Sequence, residues 1–168
     1  MATLTVWKFD TPNGAEEAER ILERLSKQEL ITIVDAAVVS WPLDKKSPKT
    51  RQMHNMKTAG ALGGAFWGLL FGLLFFVPIL GMAVGAAFGA MGGALTDVGI
   101  DDEFISSVRS RIQPGTSALF VMSSDAVIDK VRQEFAGMNP ELIHSNLTAD
   151  QEQKLREVFG EHAAVVGG

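Results

Sequence analysis

The chain of 168 residues contains no cysteine. That absence removes disulfide frameworks, thiolate metal sites and cysteine nucleophiles together. Histidine is scarce: His54, His144 and His162 are the only three, and no two share a metal-ligand spacing. In the Met53-His54-Asn55-Met56 run, adjacent side chains would have to converge on one soft ion, yet neighbours along a helix point different ways. There is no GxxxxGK(S/T) phosphate loop and no GxGxxG, so no nucleotide fingerprint. A positive excess is also missing. The net charge is −5, which gives no footprint for nucleic acid. The first residues, MATLTVWKFDTPNG, lack a basic stretch followed by an apolar run, so no signal peptide is expected.

The absence with the largest consequence is local. Thr58 to Thr96 holds no charged residue, and every Lys, Arg, Asp and Glu lies on the flanks. Within this insert, GALGGAFWGLLFG places Gly60, Gly64, Gly68 and Gly72 four apart, and GMAVGAAFGAMGG places Gly81, Gly85, Gly89 and Gly93 the same way. Pro78 lies between the two runs and is the expected hairpin turn. Helical arms over 59–76 and 79–95 would each reach roughly 25–27 Å, against a hydrocarbon core of about 30 Å. Each interior glycine costs a helix about 1 kcal/mol relative to alanine, so something must offset eight of them. A small-xxx-small stripe offers close backbone approach between helices, and inside lipid the helix is the conformation that satisfies the backbone.

The insert therefore reads as a glycine-zipper helical hairpin, transmembrane and self-associating, with the eight glycines as helix-packing residues. Two features complicate simple spanning. The tip FFVPILG has no polar residue to present to water, which leaves open a re-entrant hairpin or one covered by an oligomer. Trp67 sits mid-arm rather than at an interfacial belt. The flanks look too small to surround two all-round apolar helices, so burial within one chain is not expected. Lys45, Lys46, Lys49, Arg51 and Lys57 precede the first arm. By the positive-inside rule both flanks face the cytoplasm, which places the protein in the inner (cytoplasmic) membrane. The same five residues are candidates for contact with lipid headgroups.

The flanks read as ordinary folded sequence. TLTVWKF (3–9) is a strand, and Thr11-Pro12 opens a helix with Ala15, Ala18, Ile21, Leu22 and Leu25 on one face. LITIVDAAVVSW (30–41) is a buried strand, and 42–57 is a polar connector. After the insert, a helix capped by Asp101 or Asp102 ends before Pro114-Gly115. TSALFVM (116–122) is a strand, Ser124 caps a helix through Phe135, and PELIHSNL (140–147) is a weaker strand. Thr148 and Gln151 form a capping box opening the last helix.

The order is α+β, and it predicts a ferredoxin-like sandwich with helices on one face, split by the insert. The expected boundaries are 1–57, 58–96 and 97–168.

VDAAVV (34–39), the insert, TDVGIDDEFI (96–105), PGTSALFV (114–121) and LTADQEQKL (147–155) together resemble a bacterial family of membrane-associated proteins catalogued as a domain of unknown function, the 1269 family. The resemblance extends over essentially the whole chain. It implies a glycine-rich membrane segment and no assigned reaction, cofactor or catalytic residue.

The residues themselves supply no acid/base pair or triad. Ser123-Ser124-Asp125 reads as a helix cap, and Glu16-Glu17 and Asp101-Asp102-Glu103 as charged helix surface. The expectation is a non-enzymatic protein without cofactor or metal, whose partners are itself and the lipid bilayer, in a structural, stress or membrane-organising role. Three alternatives stand beside it: an oligomeric pore or transport component, a closed or tubular homo-oligomer with buried hairpins and no membrane, and a small-molecule sensor of unknown ligand.

Overall fold

The computed structural model describes residues 2–53, 64–76, 95 and 98–159. The flanks build one five-stranded sheet. Strands β1 (Ala2–Phe9), β2 (Ile33–Trp41), β3 (Lys49–Gln52), β4 (Thr116–Ser124) and β5 (Glu141–Asn146) lie in the order β3-β2-β4-β1-β5. All pairings are antiparallel. Strand β4, made after the insert, lies between β1 and β2, so the segments before and after the insert share one sheet as expected. The helices are α1 (Gly14–Lys27), α2 (Gly64–Phe71), α3 (Asp102–Arg111), α4 (Asp125–Phe135) and α5 (Ala149–Phe159). The protein is thus α+β, with five helices among the described residues.

One face of the sheet carries α1 and α4. Ala15, Ala18, Leu22 and Leu25 meet Val131 and Phe135 over Trp7, Ala36, Val38, Leu119 and Val121. The α1 face is the one expected from its spacing, but its start is not. Thr11-Pro12 lies in the turn before the helix, and Asn13 occupies the cap position without a side-chain bond. Ser117 of β4 substitutes: its Oγ accepts from the Ala15 N–H at 2.9 Å and donates to the Thr11 carbonyl at 2.7 Å. At the other end of α1, Leu30 N–H bonds to Leu25 O and Glu29 N–H to Ser26 O. This is a Schellman closure with Glu29, at φ 58°, in the left-handed position.

The second face is also covered. Leu4, Val6, Ala37, Val39, Ala118, Phe120 and Met122 pack against α2, the π-helical segment Gly72–Phe76 that continues it, α3, and Leu147 and Leu155. The expected single helical face is therefore two. The described part of the first arm is covered on one side by the flanks; the expectation that they cannot surround two apolar helices concerns residues outside the described ones as well. Phe66, Trp67, Leu69, Leu70, Phe71, Leu74 and Phe75 are all buried. Each burial contributes about 1.5–3 kcal/mol, so packing on the sheet outweighs glycine's helical cost without any help from lipid.

The two consecutive segments rise less than about 20 Å. Among the described residues no helix is long and apolar enough to cross a membrane. The transmembrane expectation finds no support in the described part of the first arm. The second arm, the turn at Pro78, and Gly60, Gly81, Gly85, Gly89, Gly93 and Lys57 lie outside the described residues.

Smaller differences have clear causes. The polar connector contains β3, KTRQ, which no apolar alternation announces. It forms as a short charged edge strand paired to β2. Asp101 is the α3 cap, its carboxylate accepting from the Phe104 N–H at 2.9 Å. The capping box is formed in both directions: Thr148 N–H donates to Gln151 Oε1 and Gln151 N–H to Thr148 Oγ1.

Candidate functional site: the apolar arm and its anchor on the sheet

The sequence LITIVDAAVVSW places one acid in an otherwise apolar strand, and local geometry decides where it points. The pairing of β2 with β4 shifts between Ile33 and Asp35, which leaves Val34 as an extra residue. A bulge turns two successive side chains to one face. Ile33, Ala36 and Val38 face α1, whereas Val34, Ala37 and Val39 face the arm. Asp35 follows the second group and is 1% exposed.

Burial of a carboxyl is costly unless donors surround it, and here they do. Trp67 Nε1–H donates to Asp35 Oδ2 at 2.9 Å, Gln52 Nε2–H donates to the same oxygen at 2.6 Å, and the Ala36 N–H donates to Oδ1 at 2.9 Å. The mid-arm tryptophan, out of place for a membrane belt, thus joins the arm to β2, and Gln52 brings in β3.

Around this polar point the arm is aromatic. Trp67, Phe71 and Phe75 recur at four-residue spacing. Trp67 and Phe71 stack at 5.7 Å, as do Phe71 and Phe75 at 6.1 Å. Phe120 of β4 meets Trp67 and Phe71 edge-on, and Trp41 of β2 meets Phe75 edge-on. The glycine series runs one residue behind the aromatic series. Gly64 opens α2, Gly72 opens the π segment and is buried, and Gly68 is exposed. Among the described residues, a Cβ on Gly68 would meet nothing within 4 Å. The stripe thus presents an open side at Gly68 while the neighbouring residues hold the sheet. Within the π-helical segment, the carbonyls of Leu73 and Leu74 accept from the Arg109 guanidinium of α3.

The basic residues before the insert divide. Arg51 on β3 forms a two-pronged pair with Glu19 of α1, both bonds at 2.7 Å. That hydrogen bond, with further attraction from Glu19, Glu16 and Glu23, raises the Arg51 pKa against the opposing effect of burial. Its guanidinium is therefore engaged by protein. Lys45, Lys46 and Lys49 are exposed. Among the described residues no three His, Cys, Asp or Glu side chains group as metal ligands, and no buried side-chain polar atom lacks a partner.

Residues 61–160 match the family described as Protein of unknown function (DUF1269). The chain belongs to this family. The match starts at the first arm and runs through α5. It is narrower than the whole-chain resemblance, since β1, α1 and β2 precede it. Trp67 and Arg109 lie inside the matched stretch and Asp35 outside it, so the arm's anchor joins the family region to the N-terminal half of the sheet. No curated protein and no solved structure matches the chain.

The sequence contained signals for this site that a search for catalytic groups passes over: a lone acid in an apolar strand, and a tryptophan where neither a membrane belt nor a glycine stripe calls for one. Arg109 carries no such signal, because an arginine near a helix C-terminus is common.

Proposed function

We propose that the protein is a non-enzymatic, self-associating protein of the cytoplasmic membrane surface, in a structural, stress or membrane-organising role. Its ferredoxin-like domain holds the first arm of a glycine-zipper insert. The observation that carries the proposal is Gly68: among the described residues nothing lies over it, on an arm whose Phe66, Trp67, Leu69, Leu70, Phe71, Leu74 and Phe75 are buried. A small residue with room above it suits close approach by another helix, from the remainder of the insert or from a second copy. The absence of charge from Thr58 to Thr96 suits lipid as the medium around the part of the insert that the sheet does not receive, with both flanks on the cytoplasmic side. The β-α-β-β-α-β order of β1, α1, β2, β4, α4 and β5 supports the ferredoxin-like reading.

The test is fractionation of cells expressing the chain, with a carbonate wash of the membranes, then sizing in mild detergent. The proposal expects retention in washed membranes and an oligomer in detergent. A strictly monomeric protein would remove self-association, and release by carbonate would remove integral anchoring.

A second reading is favoured by Asp35. If the arm left the sheet for lipid, this carboxyl would lose its indole donor. A homo-oligomer that buries the inserts among its own copies, without a membrane, keeps the Trp67–Asp35 bond. It would yield a large particle in the absence of detergent. A pore or transport component and a small-molecule sensor are further proposals, and no contact among the described residues favours either.

A further inference from the structure

We infer that the turn Pro42–Lys45, with Lys46 and Lys49, docks on an anionic phospholipid surface, Leu43 entering the interface and the three lysines meeting headgroup phosphates. This rests on the membrane-surface reading above and names the part of the domain that touches lipid.

Leu43 is 80% exposed. It stands at a corner of a β-turn, where polar residues are the usual choice. A single exposed leucine is ordinary, but this one is held in place. The Lys45 N–H closes the turn on the Pro42 carbonyl at 3.2 Å, and Trp41 Nε1–H donates to the Lys45 carbonyl at 3.0 Å. An apolar residue on a pre-set turn loses little conformational freedom on docking.

The charge around it has the matching sign. Lys45, Lys46 and Lys49 are exposed, and the ion pairs among the described residues involve none of them. Asp44 is the opposing charge within the turn. A basic patch on a chain of net charge −5 sets a direction of approach to an anionic surface. The apolar arm reaches the residue that precedes the turn, where Phe75 packs edge-on against Trp41 at 6.0 Å.

The experiment is co-sedimentation of the purified full chain with vesicles of phosphatidylcholine alone and of phosphatidylcholine with phosphatidylglycerol. Wild type should favour the anionic vesicles, and added salt should weaken that preference. The triple variant Lys45→Gln, Lys46→Gln, Lys49→Gln should lose roughly a hundredfold in binding to them. Leu43→Ser should lose roughly tenfold on both vesicle types. All four positions are exposed, so thermal melting of the variants should match wild type and exclude misfolding as the cause. Equal wild-type binding to both vesicles overturns the phosphate contact. Wild-type-like binding by both variants overturns the docking turn while the membrane reading stands. No binding of wild type to either vesicle overturns both.

Discussion

Trp67 and Asp35 are 32 positions apart in the chain and meet through a buried hydrogen bond of 2.9 Å. One comes from an apolar arm and the other from the only acidic position in β2. Leaving a buried hydrogen-bonding group unsatisfied costs about 1–3 kcal/mol. Trp67→Phe keeps an aromatic ring but removes the donor and part of the buried indole, so it should destabilise by at least about that amount in urea unfolding. Asp35→Leu should cost as much or more, since the Trp67 and Gln52 donors lose their acceptor. The double variant should fall short of the sum of the singles by at least about 1 kcal/mol. Additive losses would show that the contact contributes no coupling.

Gly68 offers a different outcome. A Cβ there would touch nothing among the described residues, so Gly68→Ala should raise the domain's stability by up to about 1 kcal/mol through helix propensity alone. Gly68→Leu should leave the fold intact and lower the oligomer fraction on sizing. An unchanged oligomer would place the self-association surface elsewhere.

Gly14 behaves oppositely. A Cβ there would lie 2.5 Å from the Phe9 Cβ, at the turn into α1. Gly14→Ala should cost about 1–3 kcal/mol as an overpacking change, read as a lower melting temperature.

At the end of α1, Glu29 occupies the left-handed position of the Schellman closure. Relief of a side chain there is worth about 1–2 kcal/mol, less the greater freedom of glycine in the unfolded chain. Glu29→Gly should therefore raise stability by up to about 1 kcal/mol, measured by denaturant midpoint at unchanged slope.

The Lys8 pKa is raised from 10.5, first by its hydrogen bond to Asp10 and against desolvation, with further attraction from Asp10 and Glu141. A folded pKa above the unfolded one gives stability that is complete below 10.5 and disappears as pH rises through the folded value. Asp10 is exposed, so the effect is about 0.5 kcal/mol. Asp10→Asn should lower stability by about that much at neutral pH. The difference from wild type should close as pH is raised past the lysine range.

Much of the sheet was legible because its strands announce themselves. TLTVWKF and TSALFVM are apolar and β-branched, and both lie in the interior of the sheet. The caps at Asp101 and Thr148 were legible for the same local reason: side chain and partner lie three residues apart. What escaped depends on distance. Ser117 caps α1 from across the chain, the β2 bulge turns Asp35 toward an arm that follows later, and KTRQ becomes a strand only because β2 offers an edge. The arm's composition fits lipid and a sheet's apolar face equally well. Periodicity records that a helix is apolar on many sides, but not which surface receives it.

The order of synthesis gives the sheet's topology a kinetic meaning. Strand β4 completes the surface on which the arm rests, since Phe120 lies against both Trp67 and Phe71. Yet β4 is translated some 40–50 residues after the arm. At about 5–20 residues per second this leaves the arm without its seat for roughly 2–10 s. During that interval the nascent chain carries an apolar helix with no partner strand between β1 and β2. Whatever apolar surface reaches it first, a bilayer, a chaperone or another emerging copy, competes with a strand that the ribosome has yet to make.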